Sequence, residues 1–233
     1  MLQSIKRWFS GGPTSGWAGA EEWAAARKLN FKRVREGDGF VIDHADRPGW
    51  RIEWGPSQRP YIEGNELRLR GELPEADLQM MVLSRSLMDA MEKAVFEQFT
   101  EDLQTRIDTA TPEEMRWLVL FPKLPASELN ILRDSFGAAG SSLRFVAHWI
   151  QGPLSEHLQQ ARSSWLAPED PLALVLHRGR LTLRTAVSQP DAAHLSAAAT
   201  LFDVALREGE RVIQFYGENG SPSTQPIMWS GEG

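Results

Sequence analysis

A chain of 233 residues, 42% hydrophobic and 24% charged, has the balance of a folded protein and the length for one large domain or two small ones. It has no cysteine, which excludes disulfides, thiolate nucleophiles, cysteine-ligated zinc and iron–sulfur clusters. A net charge of −6 argues against general nucleic-acid binding, and no apolar run reaches the roughly 20 residues of a membrane-crossing helix or resembles a secretory leader, so the sequence reads as cytoplasmic.

Charge is unevenly spread. Residues 1–35 carry seven Lys/Arg against two Glu, and residues 74–115 carry three against ten Asp/Glu, an asymmetry that can orient a partner or a second copy. Twenty of the 25 basic residues are arginine, the usage expected of a GC-rich, bacterial genome.

In chain order, residues 1–16 read as an amphipathic stub and a tether. Leu2, Ile5, Trp8 and Phe9 gather on one side of a helix beside Lys6 and Arg7, and Ser10 to Gly16 is rich in Gly, Ser and Pro. Such a stub can lie on an anionic membrane surface, dock into a partner, or pack on its own domain. Residues 17–105 form a first α/β segment. A short helix over 18–29 precedes strands Phe31–Arg35 and Phe40–Asp43, joined through Gly37, Asp38 and Gly39. Trp50 to Trp54 and Glu66 to Glu72 then alternate apolar and charged residues, the period of a half-buried strand. Paired as a hairpin, they put Ile52, Leu67, Leu69 and both tryptophans on a core, and Arg51, Glu53, Glu66, Arg68, Arg70 and Glu72 on the opposite face. Pro74 opens a helix expected to run to Phe99, with Leu78, Met81, Val82, Arg85, Met88, Met91 and Val95 at three-to-four spacing, roofing a four-stranded meander.

Residues 106–216 form a second segment. Thr111, Pro112 and Glu114 have the spacing of a helix start, with Trp117–Phe121 read as its continuation. Ser127–Phe136 is expected as a helix ended by Gly137, and Ser142–Trp165 as helical with a break at Gly152 and Pro153. Leu172–His177 and Arg180–Thr185 form the clearest hairpin, with Arg178 and Gly179 as its turn, Leu176 facing Leu181 and Leu174 facing Leu183. A helix follows from Pro190 and Asp191 with Leu195, Ala198, Ala199, Phe202 and Leu206 on one side, and Arg211–Tyr216 is expected as a last strand. Residues 217–233 have the composition of a tail. The class is α+β: an antiparallel meander and a second hairpin segment, joined and covered by helices.

Motifs for chemistry are absent. His44, His148, His157, His177 and His194 never fall at metal-pair spacing, no phosphate loop or serine elbow occurs, and Glu113 and Glu114 are accounted for by a helix N-terminus. No catalytic residue, metal ligand or cofactor is assigned. Met80, Met81, Met88 and Met91 fit a core as well as an adaptable groove. The remaining feature is arginine: Arg51, Arg59, Arg68 and Arg70 can converge on a small anionic ligand beside Trp50, Trp54 or Tyr61, since a guanidinium grips carboxylate or phosphate by two parallel hydrogen bonds. The alternative is that Glu53, Glu66 and Glu72 satisfy them within the sheet. The reading is a binding or accessory module for a protein partner or for self-association as a homodimer. An enzyme or sensor of a small anionic ligand, and a peripheral membrane protein held by residues 1–9, are its alternatives.

Overall fold

The computed structural model describes residues 18–34, 39–74, 77–101 and 111–218. Leu2, Ile5, Trp8 and Phe9, the tether and the tail from residue 219 onward lie outside the described residues. The fold is α+β, with seven α-helices and one eight-stranded antiparallel sheet among the described residues.

Helix α1 (Ala18–Ala26) leads into a meander of β1 (Asn30–Arg33), β2 (Phe40–Asp43), β3 (Arg51–Pro56) and β4 (Asn65–Glu72). The alternation that marked β3 and β4 is in phase as expected: Ile52 faces Leu69 and Trp54 faces Leu67 on one side, and Arg51 faces Arg70 and Glu53 faces Arg68 on the other. Next come β5 (Gln79–Ser84), α2 (Arg85–Glu101), α3 (Glu113–Leu120), a short α4 (Ala126–Leu129) extended by a 3-10 turn, β6 (Phe136–Gly140), α5 (Leu143–Ile150) and α6 (Pro153–Ser164). The hairpin of β7 (Leu172–His177) and β8 (Arg180–Ala186) and helix α7 (Ala192–Glu218) complete the chain. Its register matches the expectation, with Leu176 opposite Leu181 and Leu174 opposite Leu183. Arg178 (φ 50°) and Gly179 (φ 72°) supply the two left-handed residues that a two-residue hairpin turn of this twist requires.

The strand order is β1-β2-β3-β4-β8-β7-β5-β6. The meander and the later hairpin therefore share one sheet, sewn together where β4 pairs with β8 from Glu66–Ala186 to Glu72–Arg180. Helix α7 lies on the first face, with α1 and α5 beside it and α6 packed on α7. Four tryptophans fasten this layer through their indole N–H groups. Trp23 donates to Ser196 Oγ (2.7 Å), Trp50 to Asp203 Oδ1 (3.1 Å) and Trp149 to the Ala205 carbonyl (3.0 Å), all on α7; Trp54 donates to the Val187 carbonyl just ahead of it (2.7 Å). Burying an indole N–H without such a partner is costly, so these hydrogen bonds remove the penalty while the rings pack in the core.

Three expected elements differ. The helix expected from Pro74 is strand β5, which ends at Ser84 and passes into α2 at Arg85 with no residue between. Leu78, Met81 and Val82 satisfy a helical period by coincidence, because a strand buried on both faces is a continuous apolar run. Helix α2 packs on β5 and β6 instead of roofing the meander. The helix expected over Ser127–Phe136 stops at Leu132, and Phe-Gly-Ala-Ala-Gly is the edge strand β6, whose residues are all buried. Arg211–Tyr216 continues α7, since Val212 and Tyr216 prolong its buried stripe beyond Leu206. Met80, Met81, Met88 and Met91 are all core residues.

β6 has poor strand propensity because its small residues let elements approach. A Cβ on Gly140 would lie 2.8 Å from the Gln79 carbonyl oxygen and 2.8 Å from Val146; one on Gly137 would meet the Met88 sulfur, the movable end of a side chain. Gly140→Ala is expected to cost about 1–3 kcal/mol by overpacking, and Gly137→Ala less, as read from urea unfolding.

Candidate functional site

The second face of the sheet changes character from one edge to the other. Reading across the strands, one row runs Asn30, Asp43, Arg51, Arg70, Thr182, Val175, Met81, Ala139, and the next runs Lys32, Val41, Glu53, Arg68, Arg184, Ala173, Leu83, Gly137. From β7 to β6 the face is apolar and is covered by α2 and α3, whose Leu87, Met88, Met91, Met115, Trp117 and Leu118 form a second core with it. Over β3, β4 and β8 it is charged, and no helix packs on it among the described residues.

Tyr61, from the β3–β4 connection, stands at the boundary and packs against the second core. Burial raises the pKa of its hydroxyl and Glu114 adds to the effect, partly offset by Arg184 and Arg59. Arg59 Nε pairs with Glu114 Oε1 at 3.2 Å, and His177 Nδ1 lies 3.0 Å from Glu113 Oε2, with its ring edge-on to Trp117. Glu113 and Glu114 thus tie α3 to the sheet, a role beyond favouring a helix N-terminus; no side chain caps the helix.

Within the charged rows the ion pairs form one chain. Glu66 Oε1 accepts from Arg68 Nη1 (2.6 Å) and Arg184 Nη1 (2.7 Å); Arg68 also donates to Glu53, which takes Arg51 Nε at 2.9 Å. Arg70 reaches Glu53 only at 4.0 Å, and Arg180 makes no ion pair among the described residues. Burial ranks the same groups. Side-chain exposure is 2% for Glu66, 9% for Arg68 and 6% for Arg184, against 32% for Arg70 and 47% for Arg51. The inner arginines are satisfied structure. The outer three, Arg51, Arg70 and Arg180, face solvent.

Electrostatics follow this division. Burial works to raise the Glu53 carboxyl, but the Arg68 hydrogen bond and the charges of Arg68, Arg70 and Arg51 hold it below the ordinary value. Arg70 moves the other way from a well-paired arginine. Desolvation lowers its pKa first, and Arg68, Arg184 and Arg180 lower it further against the single opposing pull of Glu53. On β3, β4 and β8 five arginines share this face with Glu53, Glu66 and Glu72, and Asp43 stands across from Arg51 on β2 beside Lys32, so positive charge is still in excess.

Of the residues singled out from sequence, the structure brings Arg51, Arg68 and Arg70 together. Arg59 sits apart against α3. Trp50 and Trp54 lie on the opposite face with their indoles committed to Asp203 and Val187, so they offer no stacking surface beside the arginines. The pleat itself required this, because both alternate with the arginines. Arg180 and Arg184 were missed: their strand was legible, but its pairing partner was not. Beside Glu53, Glu66 and Arg68 the same face holds a cleft of about 250 Å³ walled by Val34, Val41, Gly55 and Gln58. Among the described residues, no three His, Asp or Glu side chains gather to hold a metal ion, and no helix is long and apolar enough to cross a membrane.

No family model matches the sequence, and no curated protein matches it either. Among solved structures, the crystal structure of the mycobacterial trehalose monomycolate transport factor A, TtfA, is similar at a TM-score of 0.46 and 5% identity, over 86% of this chain and 96% of that one.

Inner and outer groups should separate in unfolding experiments. Glu66→Ala leaves the buried Arg184 without a carboxylate and strips Arg68 of one of its two, and is expected to cost about 3–5 kcal/mol, whereas Arg51→Gln removes an exposed pair and should cost about 1 kcal/mol or less.

Proposed function

We propose that the protein is a binding module whose recognition surface is the uncovered, arginine-rich part of the sheet's second face, and that it takes anionic groups of a partner on Arg51, Arg70 and Arg180. One observation carries the reading: outer guanidiniums in excess of carboxylates on a sheet face that no described helix covers. A stability ladder needs charges in balance, and the inner set, Glu53, Arg68, Glu66 and Arg184, already forms one. Of the outer set, Arg51 keeps Glu53 at 2.9 Å, while Arg70 and Arg180 are cations that the fold leaves undercompensated. On a chain of net charge −6 a local cationic strip also orients an incoming anion.

Among the described residues the surface is open, so it suits a partner that brings its own covering surface; a small ligand binds where most of its area is enclosed. A fluorescein-labelled hexaglutamate peptide provides the test. Wild type should raise its anisotropy at low salt and less so at physiological salt, as exposed charges are screened. The Arg51→Gln/Arg70→Gln/Arg180→Gln variant, checked for an unchanged melting temperature, should weaken binding by about tenfold or more. Equal binding by both proteins, or none by wild type, refutes the reading.

A further inference from the structure

The cationic strip and the cleft lie on one face, and together they specify a more particular ligand. We infer that this face receives an extended acidic segment of a partner protein with an apolar side chain seated in the cleft and carboxylates on Arg70 and Arg180. This rests on the reading of the face as a recognition surface, and adds to it the class of partner.

Three features support an extended chain. The cleft wall is apolar at Val34 and Val41, whose side chains are not fully buried, and its floor is the β2–β3–β4 surface at Gly55. Gly55 and Arg51 are four residues apart on β3, about 13 Å at strand rise, and Arg70 lies directly across from Arg51. An extended peptide presents alternate side chains at about 6.6 Å, so an apolar residue in the cleft at Gly55 places a carboxylate four positions away at the level of Arg70 and another six positions away at the level of Arg180. Charge complementarity selects the chemistry. Arg70 is crowded by Arg68, Arg184 and Arg180, and Thr182 beside it adds a hydroxyl, so a carboxylate arriving there relieves repulsion already present in the free protein.

The strip alone would accept any anion; the cleft is what distinguishes this partner. Burying a leucine side chain there should strengthen binding by about tenfold or more over a serine at the same position.

The experiment uses the full chain and two labelled decapeptides of Gly, Ser and Glu, identical except for Leu or Ser four residues before the first glutamate of a Glu-Gly-Glu pair, the even spacing that keeps anchor and carboxylates on one face. The leucine peptide should bind about tenfold tighter. Val41→Trp, and separately Gln58→Trp on the exposed connection, fill the cleft and should shrink that advantage to less than about twofold while leaving the serine peptide's affinity unchanged. Arg70→Gln/Arg180→Gln should weaken both peptides. If both peptides bind equally and both depend on the two arginines, the inference of an apolar anchor is overturned while the recognition surface stands. If binding survives Arg70→Gln/Arg180→Gln, or neither peptide binds, the surface itself is wrong. Phosphoserine in place of both glutamates tightening the leucine peptide by more than about tenfold overturns the carboxylate in favour of a phosphorylated ligand.

Discussion

Glu66 holds the centre of this structure. It is the carboxylate at the seam where β4 meets β8, buried with a guanidinium from each strand, Arg68 and Arg184, on its oxygens. A lone carboxylate there would carry an unfavourable desolvation cost, and so would either arginine; together they are mutually satisfied and fix which strand lies beside which. Because β4 and β8 meet at that point, hairpins far apart in sequence make one sheet, and the sheet's second face carries charge on one side of the seam and a core on the other.

The two faces are unequal for a reason visible in their partners. On the first face every strand contributes apolar residues, and α7 spans the seam, held by indole donors from α1, α5 and the meander. Those hydrogen bonds orient the helix where apolar packing alone is indifferent to sliding. On the second face α2 and α3 end where the apolar rows end, with Tyr61 and the Arg59–Glu114 pair closing the boundary. The open region is thus an outcome of row composition. Its outer cations lie beyond a network that is already satisfied.

Much of this was legible in the residues. Period-2 alternation placed every side chain of β3 and β4 on its correct face, and Arg178-Gly179 set the register of β7 and β8, because local turn chemistry and a half-buried strand both write their geometry into adjacent residues. What was not legible depends on distant partners. Strand β5 imitates a helix because both of its faces are buried, and β6 is a strand only because its neighbours need its small residues. Pairing of β4 with β8 leaves no local trace, so Arg184 and Arg180 could not be joined to Arg68 and Arg70. The two tryptophans could have been removed from the arginine site by the same alternation that placed the arginines.

The central claim is that one arginine cluster contains two populations, a buried structural set and an outward recognition set. Arginine Nε–Hε resonances report on each guanidinium separately, and inorganic phosphate is a probe that competes for exposed cations only. In a phosphate titration at constant ionic strength, the resonances of Arg51, Arg70 and Arg180 should shift together and saturably, while those of Arg68 and Arg184 stay in place. Shifts of equal size across all five, or shifts at Arg68 and Arg184 with none at Arg70 and Arg180, would contradict the division on which the account stands.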